Sequence, residues 1–295
     1  MPTQPSHRTA LFLMICAATL WSIAGVLTRH LEAARGFEVT FWRSVFAALY
    51  VAGALLWQYR AQALRKLQAS GRYGLISGAM WAVMFSCFML ALTMTTVANT
   101  LIVMSISPLL TAVFARLYLH HAIGLRTWLA IAVATAGILW MFVDGFSHVD
   151  ARGLAGMLIA FGVPLAASVN FIALKKSGHA LDLIPAVLIG GLLSALAMLP
   201  LALPLQASAH DMLILATLGV FQLGFPCTLM VRAARSLSAP ELSLLALLEV
   251  VLGPLWAWLG AGEVPAGATL MGGAVVLTAL VFNELAGLRK VRVAS

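Results

Sequence analysis

The chain has 295 residues, of which 62% are hydrophobic and only 9% are charged, and its mean hydropathy is +1.00. Charged residues make up about 25% of a typical soluble domain, so this composition excludes a soluble globular protein. The apolar residues fall in repeated blocks that are long enough to cross about 30 Å of hydrocarbon as helices. The sequence therefore predicts an all-α membrane protein that crosses the bilayer many times.

The apolar blocks predict ten transmembrane helices joined by short connections, which leave no room for a soluble domain. In chain order, the predicted spans are 9–29, 38–59, 73–93, 96–117, 127–146, 153–174, 183–205, 211–231, 239–260 and 266–285. The first span is longer than the apolar part of a typical signal peptide, so we expect it to be retained as a helix.

The positions of Lys and Arg predict the orientation of these helices. If the N-terminus is cytoplasmic, fourteen of the 18 basic residues fall in cytoplasmic segments and three in outer segments, while Arg43 lies inside the second span. Cytoplasmic loops of membrane proteins carry the excess of basic residues, so we expect a multi-pass protein of a bacterial-type inner membrane with both termini cytoplasmic. The net charge of +8 is dispersed over these segments, which favours contact with anionic lipids and not with nucleic acid.

Neither the cysteines nor the histidines indicate a metal or another cofactor. Cys16, Cys87 and Cys227 lie inside apolar spans at no metal-ligand spacing, and we expect them to be reduced packing residues. The sequence contains no H-E-x-x-H motif, Walker loop or rhomboid-type serine motif, and its histidines lie at or near span ends. It also lacks an evident selectivity filter or charged ring. We therefore expect a secondary transporter, with a channel or an intramembrane enzyme as the alternatives.

The two halves of the chain share a pattern. When His121 is aligned with Glu263, AIAVATAG (130–137) falls on GGAVVLTA (272–279), and the fourth predicted span falls on the ninth. We call this the repeat alignment, and we expect one five-helix repeat over residues 1–150 and a second over 151–295. Because five crossings is an odd number, the second repeat would be inverted relative to the first, with the substrate site between them near the midplane.

Four segments carry a further pattern: LWSIAGVLTRHL in the first span, VTFWRSVFAALYV in the second, ANTLIVMSISPLL in the fourth and LSLLALLEVVLGPLWAWLGAGEVP in the ninth. Their order and spacing resemble the drug/metabolite transporter superfamily, in particular its EamA-type members, over essentially the whole chain. The resemblance implies a ten-helix inner-membrane carrier, often an exporter of amino acids or other metabolites; aromatic amino-acid exporters of the YddG type are one similar branch. One departure is His120–His121, where many relatives carry a Gly–Glu pair.

A path for a solute through the bilayer requires polar side chains that face the interior of the bundle. Such residues share helical faces in several spans, most clearly the hydroxyl residues of the fourth span, which include Thr96. The substrate-pathway candidates are Trp21, Ser22, Arg43, Trp81, Ser86, Thr100, Met104, Ser107, Thr111, Asn170, Gln222, Glu249 and Trp256. For the hydroxyl groups, the alternative is a structural hydrogen bond to a carbonyl one turn earlier or to a neighbouring helix.

Two charged residues inside predicted spans leave several hypotheses open. A carboxylate in hydrocarbon costs roughly 2.5 kcal/mol or more, so Glu249 indicates a functional position. It is a proton carrier, a binding group for an ammonium or other cation, or a structural residue that is protonated or hydrogen-bonded to a neighbouring helix. Arg43 either extends to the outer interface or binds the carboxylate of a zwitterionic substrate.

Prolines inside the spans predict hinges, because proline bends a helix and frees a carbonyl. The hinge candidates are Pro108, Pro164, Pro226 and Pro254. Small residues in the fifth and tenth spans permit close packing, either within the chain or between the protomers of a homodimer. The expected substrate is an amino acid, aromatic ones included, or a related metabolite; cationic amphipathic drugs are the alternative.

Overall fold

The computed structural model describes residues 4–95, 97–120, 123–141, 150–178, 182–261 and 267–293, and these residues contain helices and no strand. The α-helices are α1 (His7–Trp21), α2 (Ala24–Thr28), α3 (Phe37–Tyr59), α4 (Ala63–Ala69), α5 (Gly71–Met94), α6 (Val97–Met104), α7 (Ser107–Tyr118), α8 (Leu125–Met141), α9 (Ala151–Lys176), α10 (Ile184–Ala202), α11 (Ala209–Thr217), α12 (Phe225–Ala233), α13 (Ala239–Ala246), α14 (Leu248–Ala261) and α15 (Gly267–Val293). Within the described residues, seven helical segments are long and apolar enough to cross a membrane, and two shorter apolar helices lie in α8 and α15. The chain is therefore an all-helical, multi-pass membrane protein.

Several predicted spans consist of two consecutive helices instead of one. The first span is divided between α1 and α2, the fourth between α6 and α7, and the ninth between α13 and α14. In the eighth span, the π-helical segment Leu218–Gly224 separates α11 from α12. Backbone that departs from the helix is tolerated at membrane depth only where protein or a cavity surrounds it, so these breaks indicate where such surroundings lie.

Proline explains two of these interruptions and not the others. In a continuous helix, the ring of Pro108 would clash with the carbonyl four residues earlier, that of Met104, which is the last residue of α6. Pro226 stands in the first turn of α12, directly after the π-helical segment. Pro164 and Pro254, in contrast, lie inside α9 and α14. The hinge prediction expected the ninth span to bend at Pro254, whereas its break lies at Leu247.

The small residues of the fifth and tenth spans pack against each other inside the chain. Helix α8 contacts α15, and a Cβ added at Gly137 would lie only 3.0 Å from the carbonyl oxygen of Gly272. Thr127 Oγ1 also donates a hydrogen bond to Asn283 Oδ1 at 3.4 Å. These small residues therefore pack within the chain, and the homodimer through the fifth and tenth spans stays a prediction.

Two buried carboxylates fix the loops at one end of the bundle. Asp211 accepts hydrogen bonds from the backbone N–H groups of residues 32–34 at 2.8–2.9 Å. Glu38 accepts hydrogen bonds from the N–H groups of Gln206 and Ala207 at 2.8 and 2.9 Å. The loop before α3 is thus bound by a carboxylate of α11, and the loop before α11 is bound by a carboxylate of α3. This exchange holds the two halves of the chain together.

A different polar cluster lies at the opposite end of α3. Asp182 accepts hydrogen bonds from the hydroxyl of Tyr59 at 2.6 Å and from Arg235 Nη2 at 3.3 Å. The hydroxyl of Ser236 donates to the carbonyl of Pro5 at 2.6 Å. These contacts join the end of α3 to the loops that precede α10 and follow α12.

Candidate functional site

A cavity with about 840 Å³ of empty space, its opening included, lies between the helices of the bundle. Most of its wall is apolar or aromatic, and it carries one basic and one acidic side chain. The polar and charged lining residues are Arg43, Ser107, Asn170, Gln222, Ser243 and Glu249. The remaining lining residues are Trp21, Trp81, Met84, Phe85, Phe88, Met104, Val163, Pro164, Ala167, Phe171, Leu223, Cys227, Met230, Ala246, Leu247 and Val250.

The breaks in the helices border this cavity. Trp21 is the last residue of α1 and Met104 the last residue of α6, and both line the wall. Ser107 begins α7, Ala246 ends α13, and Glu249 lies in the first turn of α14. A helix N-terminus carries a partial positive charge, so the first turn of α14 is a favourable position for a carboxylate. The interruptions thus direct helix ends, and the groups on them, toward the cavity.

Arg43 is held inside the bundle. Its side chain is only 4% exposed, and its Nε and Nη1 atoms are buried with no hydrogen-bond partner among the described residues. The guanidinium carbon lies 5.7 Å from the centre of the Phe88 ring, which provides a cation–π contact. Because Arg43 lines the cavity, the structure does not agree with the alternative in which it extends to the outer interface.

Glu249 faces the same cavity with a half-buried side chain. Within the described residues, its carboxylate makes no hydrogen bond and no salt bridge, and this includes Arg43, with which it interacts only through longer-range electrostatics. The hypothesis that Glu249 is structural allowed either a protonated carboxyl or a hydrogen bond to a neighbouring helix, and the described part of the chain contains no such hydrogen bond. A buried charge without a partner is costly, so both charges are better explained by a ligand or by water than by stability.

Three neutral side chains of the wall are held by one hydrogen bond or none. Asn170 Oδ1 accepts a hydrogen bond from Ser77 at 2.6 Å, while its Nδ2 is buried without a partner in the described residues. Gln222 Nε2 donates to the carbonyl of Trp21 at 3.1 Å, while its Oε1 is similarly unpaired. Trp81 Nε1 has no described partner either. An unpaired buried polar group costs about 1–3 kcal/mol, so their grouping around one cavity is typical of a binding site.

The other described pathway candidates do not line the cavity, and four of them, Ser22, Ser86, Thr111 and Trp256, make hydrogen bonds that join helices. The hydroxyl of Ser22 accepts a hydrogen bond from Trp256 Nε1 at 2.7 Å. Ser86 is hydrogen-bonded to Ser194 at 3.1 Å, and Thr111 to Ser168 at 3.0 Å. Thr100 is fully buried away from the cavity wall, and Thr96 lies outside the described residues. For Ser22, Ser86 and Thr111 the structure agrees with the structural alternative.

The sequence analysis did not predict most of the apolar residues of the wall. The repeat alignment nevertheless relates several of them to one another. Applied to residues that line the cavity, this alignment connects the following pairs: Trp21 with Val163, Trp81 with Leu223, Phe85 with Cys227, Phe88 with Met230, Met104 with Ala246, and Ser107 with Glu249. Apolar side chains in a membrane helix look alike whether they face lipid or a cavity, so only this internal comparison distinguishes them.

The described residues contain no group of three or more His, Cys, Asp or Glu side chains that could hold a metal ion. The arrangement can instead bind a small solute through one cation, one anion, a few neutral polar groups and aromatic surfaces.

Comparisons with known proteins identify the family to which the chain belongs. The chain is similar to the pseudopaline exporter CntI of Pseudomonas aeruginosa strains UCBPP-PA14 and PAO1, with 23% identity over 277 residues, covering 93% of this chain and 95% of that protein. One crystal structure has the same fold, with a TM-score of 0.79 at 17% identity, covering 96% of this chain and 98% of the other. The profile of the EamA-like transporter family matches residues 8–143 and again 154–284. The chain belongs to the EamA-like transporter family.

Proposed function

We propose that this protein exports small metabolites, with amino acids, aromatic ones included, as its substrates, by alternating access through the central cavity. The observation that carries this proposal is the cavity itself, in which Arg43 and Glu249 face the same enclosed space without a salt bridge between them. An amino acid carries one carboxylate and one ammonium group, and it brings both charges that such a wall requires.

The proposed architecture is ten membrane-spanning helices in two inverted repeats, over residues 1–150 and 151–295. The family profile matches the chain twice in succession, once in each half. The repeat alignment relates pairs of cavity-lining residues, and it also relates the breaks in the fourth and ninth spans, which begin at Ser105 and Leu247. Since five crossings reverse the direction of the chain, this relationship supports an inverted second repeat, with the site between the repeats.

The proposed location is the bacterial inner membrane, with both termini in the cytoplasm. The excess of Lys and Arg in alternate connections supports this orientation. In it, the cluster around Asp182 lies at the cytoplasmic end of the bundle, and the carboxylate contacts of Glu38 and Asp211 lie at the periplasmic end.

The buried cation distinguishes an amino acid from the alternative substrate, a cationic amphipathic drug. Aromatic walls and Glu249 suit such a drug, but Arg43 would repel it at close range inside a poorly solvated cavity. The similar protein CntI is an exporter of pseudopaline, which supports export of a metabolite by this chain as well.

Counterflow in proteoliposomes tests the function. Vesicles loaded with an unlabelled amino acid are diluted into the same amino acid carrying a radioactive label, over a panel that includes phenylalanine, leucine and cationic dyes. We expect transient, saturable accumulation of label for at least one amino acid, and none in protein-free vesicles. Exchange of the dyes without exchange of any amino acid would replace the proposed substrate with the cationic one.

A further inference from the structure

The cavity has an electrical polarity that the two-fold pattern of its wall does not explain. Many lining residues are paired by the repeat alignment, but the two charged residues are not paired with each other or with another charge. Glu249 corresponds to the neutral Ser107, and Arg43 corresponds to Pro185. A single cation on α3 and a single anion on α14 therefore give this wall a positive and a negative side.

Among the described residues, neither charge has a hydrogen-bonded or salt-bridged partner that would neutralise it. Arg43 is almost fully buried, with two nitrogens unpaired among the described residues, and Glu249 makes no described salt bridge. A ligand with one charge would leave the opposite side of the wall uncompensated in surroundings of low dielectric constant. A ligand with two opposite charges would satisfy both sides at once.

The unpaired neutral groups of the wall include both donors and an acceptor. Trp81 Nε1 and Asn170 Nδ2 are donors, which suit a carboxylate with its four acceptor positions. Gln222 Oε1 is an acceptor, which suits an ammonium with three donors. The wall thus contains both kinds of group that a carboxylate together with an ammonium requires.

We propose that Arg43 binds the carboxylate of a zwitterionic substrate while Glu249 binds its amino group, so that the cavity selects molecules that carry both. This inference rests on the proposed function and adds the orientation of the substrate and the basis of its selectivity. The apolar part of the substrate then lies against the aromatic wall formed in part by Trp81, Phe85 and Phe88.

Competition between labelled phenylalanine and two analogues with the same ring measures the contributions of the amino group and of the carboxylate separately. Hydrocinnamate lacks the amino group, and phenethylamine lacks the carboxylate. We expect each analogue to require a roughly 10- to 100-fold higher concentration than unlabelled phenylalanine to halve counterflow, because each forfeits a hydrogen bond to a charged group. If leucine exchanges and phenylalanine does not, the matched set is leucine, isocaproate and isoamylamine.

Two variants complete the comparison. Glu249→Gln should abolish the preference for phenylalanine over hydrocinnamate and keep the preference over phenethylamine, and Arg43→Gln should do the reverse. Substituting a residue and removing the ligand group that it binds should have strongly non-additive effects on the half-inhibiting concentration, as for any interacting pair. Arg43→Lys, which keeps the charge, should retain a weakened preference over phenethylamine. The matched controls are Glu32→Gln and Arg65→Gln, which change exposed residues outside the cavity.

The outcomes separate this inference from the function on which it rests. If no amino acid exchanges at all, the proposed function fails, and this inference fails with it. If amino acids exchange, the function stands, and two results would overturn the assignment of Arg43 and Glu249. One is that the substitution and the missing ligand group change the half-inhibiting concentration independently of each other. The other is that both analogues compete as well as phenylalanine. Thermal melting of each variant shows whether its fold is intact, and a loss of folding in Arg43→Gln leaves Arg43→Lys and Glu249→Gln as the deciding variants.

Discussion

Ser107 and Glu249 line the same cavity, each from the first turn of a helix that follows a break, and they occupy equivalent positions in the repeat alignment. The same geometry in the two halves thus carries a hydroxyl in one and a carboxylate in the other. The two-repeat architecture that we propose would place both positions at the cavity. The carboxylate at the second position, together with Arg43, gives the wall its polarity.

We expect the helix break before Ser107 to depend on Pro108, so that replacing this proline should slow transport. Pro108→Ala restores a backbone donor and removes the ring that would clash with the carbonyl of Met104 in a continuous helix, so α6 and α7 would become more continuous. We expect a several-fold lower counterflow rate with an unchanged melting temperature. Pro254→Ala is the control, because Pro254 lies inside α14 and not at a break. Equal rates for the two variants would show that the break does not depend on this proline.

Close packing of α5 on α10 should be sensitive to a single methyl group. A Cβ added at Gly190 would lie 2.4 Å from Trp81 Cβ, whereas one added at Gly53 would meet nothing within 4 Å. Overpacking costs typically about 1–3 kcal/mol, so Gly190→Ala should lower the melting temperature by several degrees. Gly53→Ala should leave it unchanged or raise it slightly, because alanine favours the helix. The packing described here is incorrect if the two variants melt alike.

The carboxylate of Asp211 should be important for stability and not for substrate binding. It accepts hydrogen bonds from several backbone N–H groups of the loop before α3, and it lies outside the cavity wall. Asp211→Asn removes the charge and replaces one acceptor oxygen with a donor, so we expect the melting temperature to fall by roughly 5 °C or more. The half-saturating substrate concentration of the folded fraction should not change. A large change in that concentration together with a normal melting temperature would contradict this assignment.

The cluster around Asp182 should help to close one end of the bundle. Tyr59→Phe removes the hydrogen bond from the Tyr59 hydroxyl to Asp182 and keeps the ring, so that end should open more often. Cys227 is buried and lines the cavity, and it reports this opening through its rate of reaction with a maleimide. With Cys16 and Cys87 replaced by serine, we expect labelling to become several-fold faster in Tyr59→Phe. An unchanged rate would show that this contact does not restrain the opening.

The sequence was sufficient for the class of fold and for singling out the two charged residues that line the cavity. Composition and the length of the apolar blocks predicted a multi-pass helical protein, because the bilayer imposes both. Arg43 and Glu249 could be identified because charge inside a membrane span is rare and costly. The broken helices were less accessible: the breaks at Ser22–Ile23 and at Leu247 have no proline, and they depend on tertiary surroundings that local sequence does not encode.

The hydroxyl residues show the limit of the pattern more clearly. Ser107 and Thr111 share a helical face, yet only Ser107 lines the cavity, while Thr111 is hydrogen-bonded to Ser168. A hydroxyl that joins two helices and a hydroxyl that meets a solute require the same position in the sequence, because both must face the interior of the bundle. The identity of the neighbouring helix decides between them, and that is a property of the fold.

The central claim is that substrate passes through this cavity, and a substitution that fills it is the most direct test. Ala246 lines the wall at the end of α13, and Leu64 is exposed on α4, so tryptophan at each position forms a matched pair. Counterflow of labelled phenylalanine and leucine is measured for both variants, with folding checked by thermal melting. The account predicts that Ala246→Trp abolishes counterflow while Leu64→Trp retains the wild-type rate. A folded Ala246→Trp variant that transports normally would contradict it.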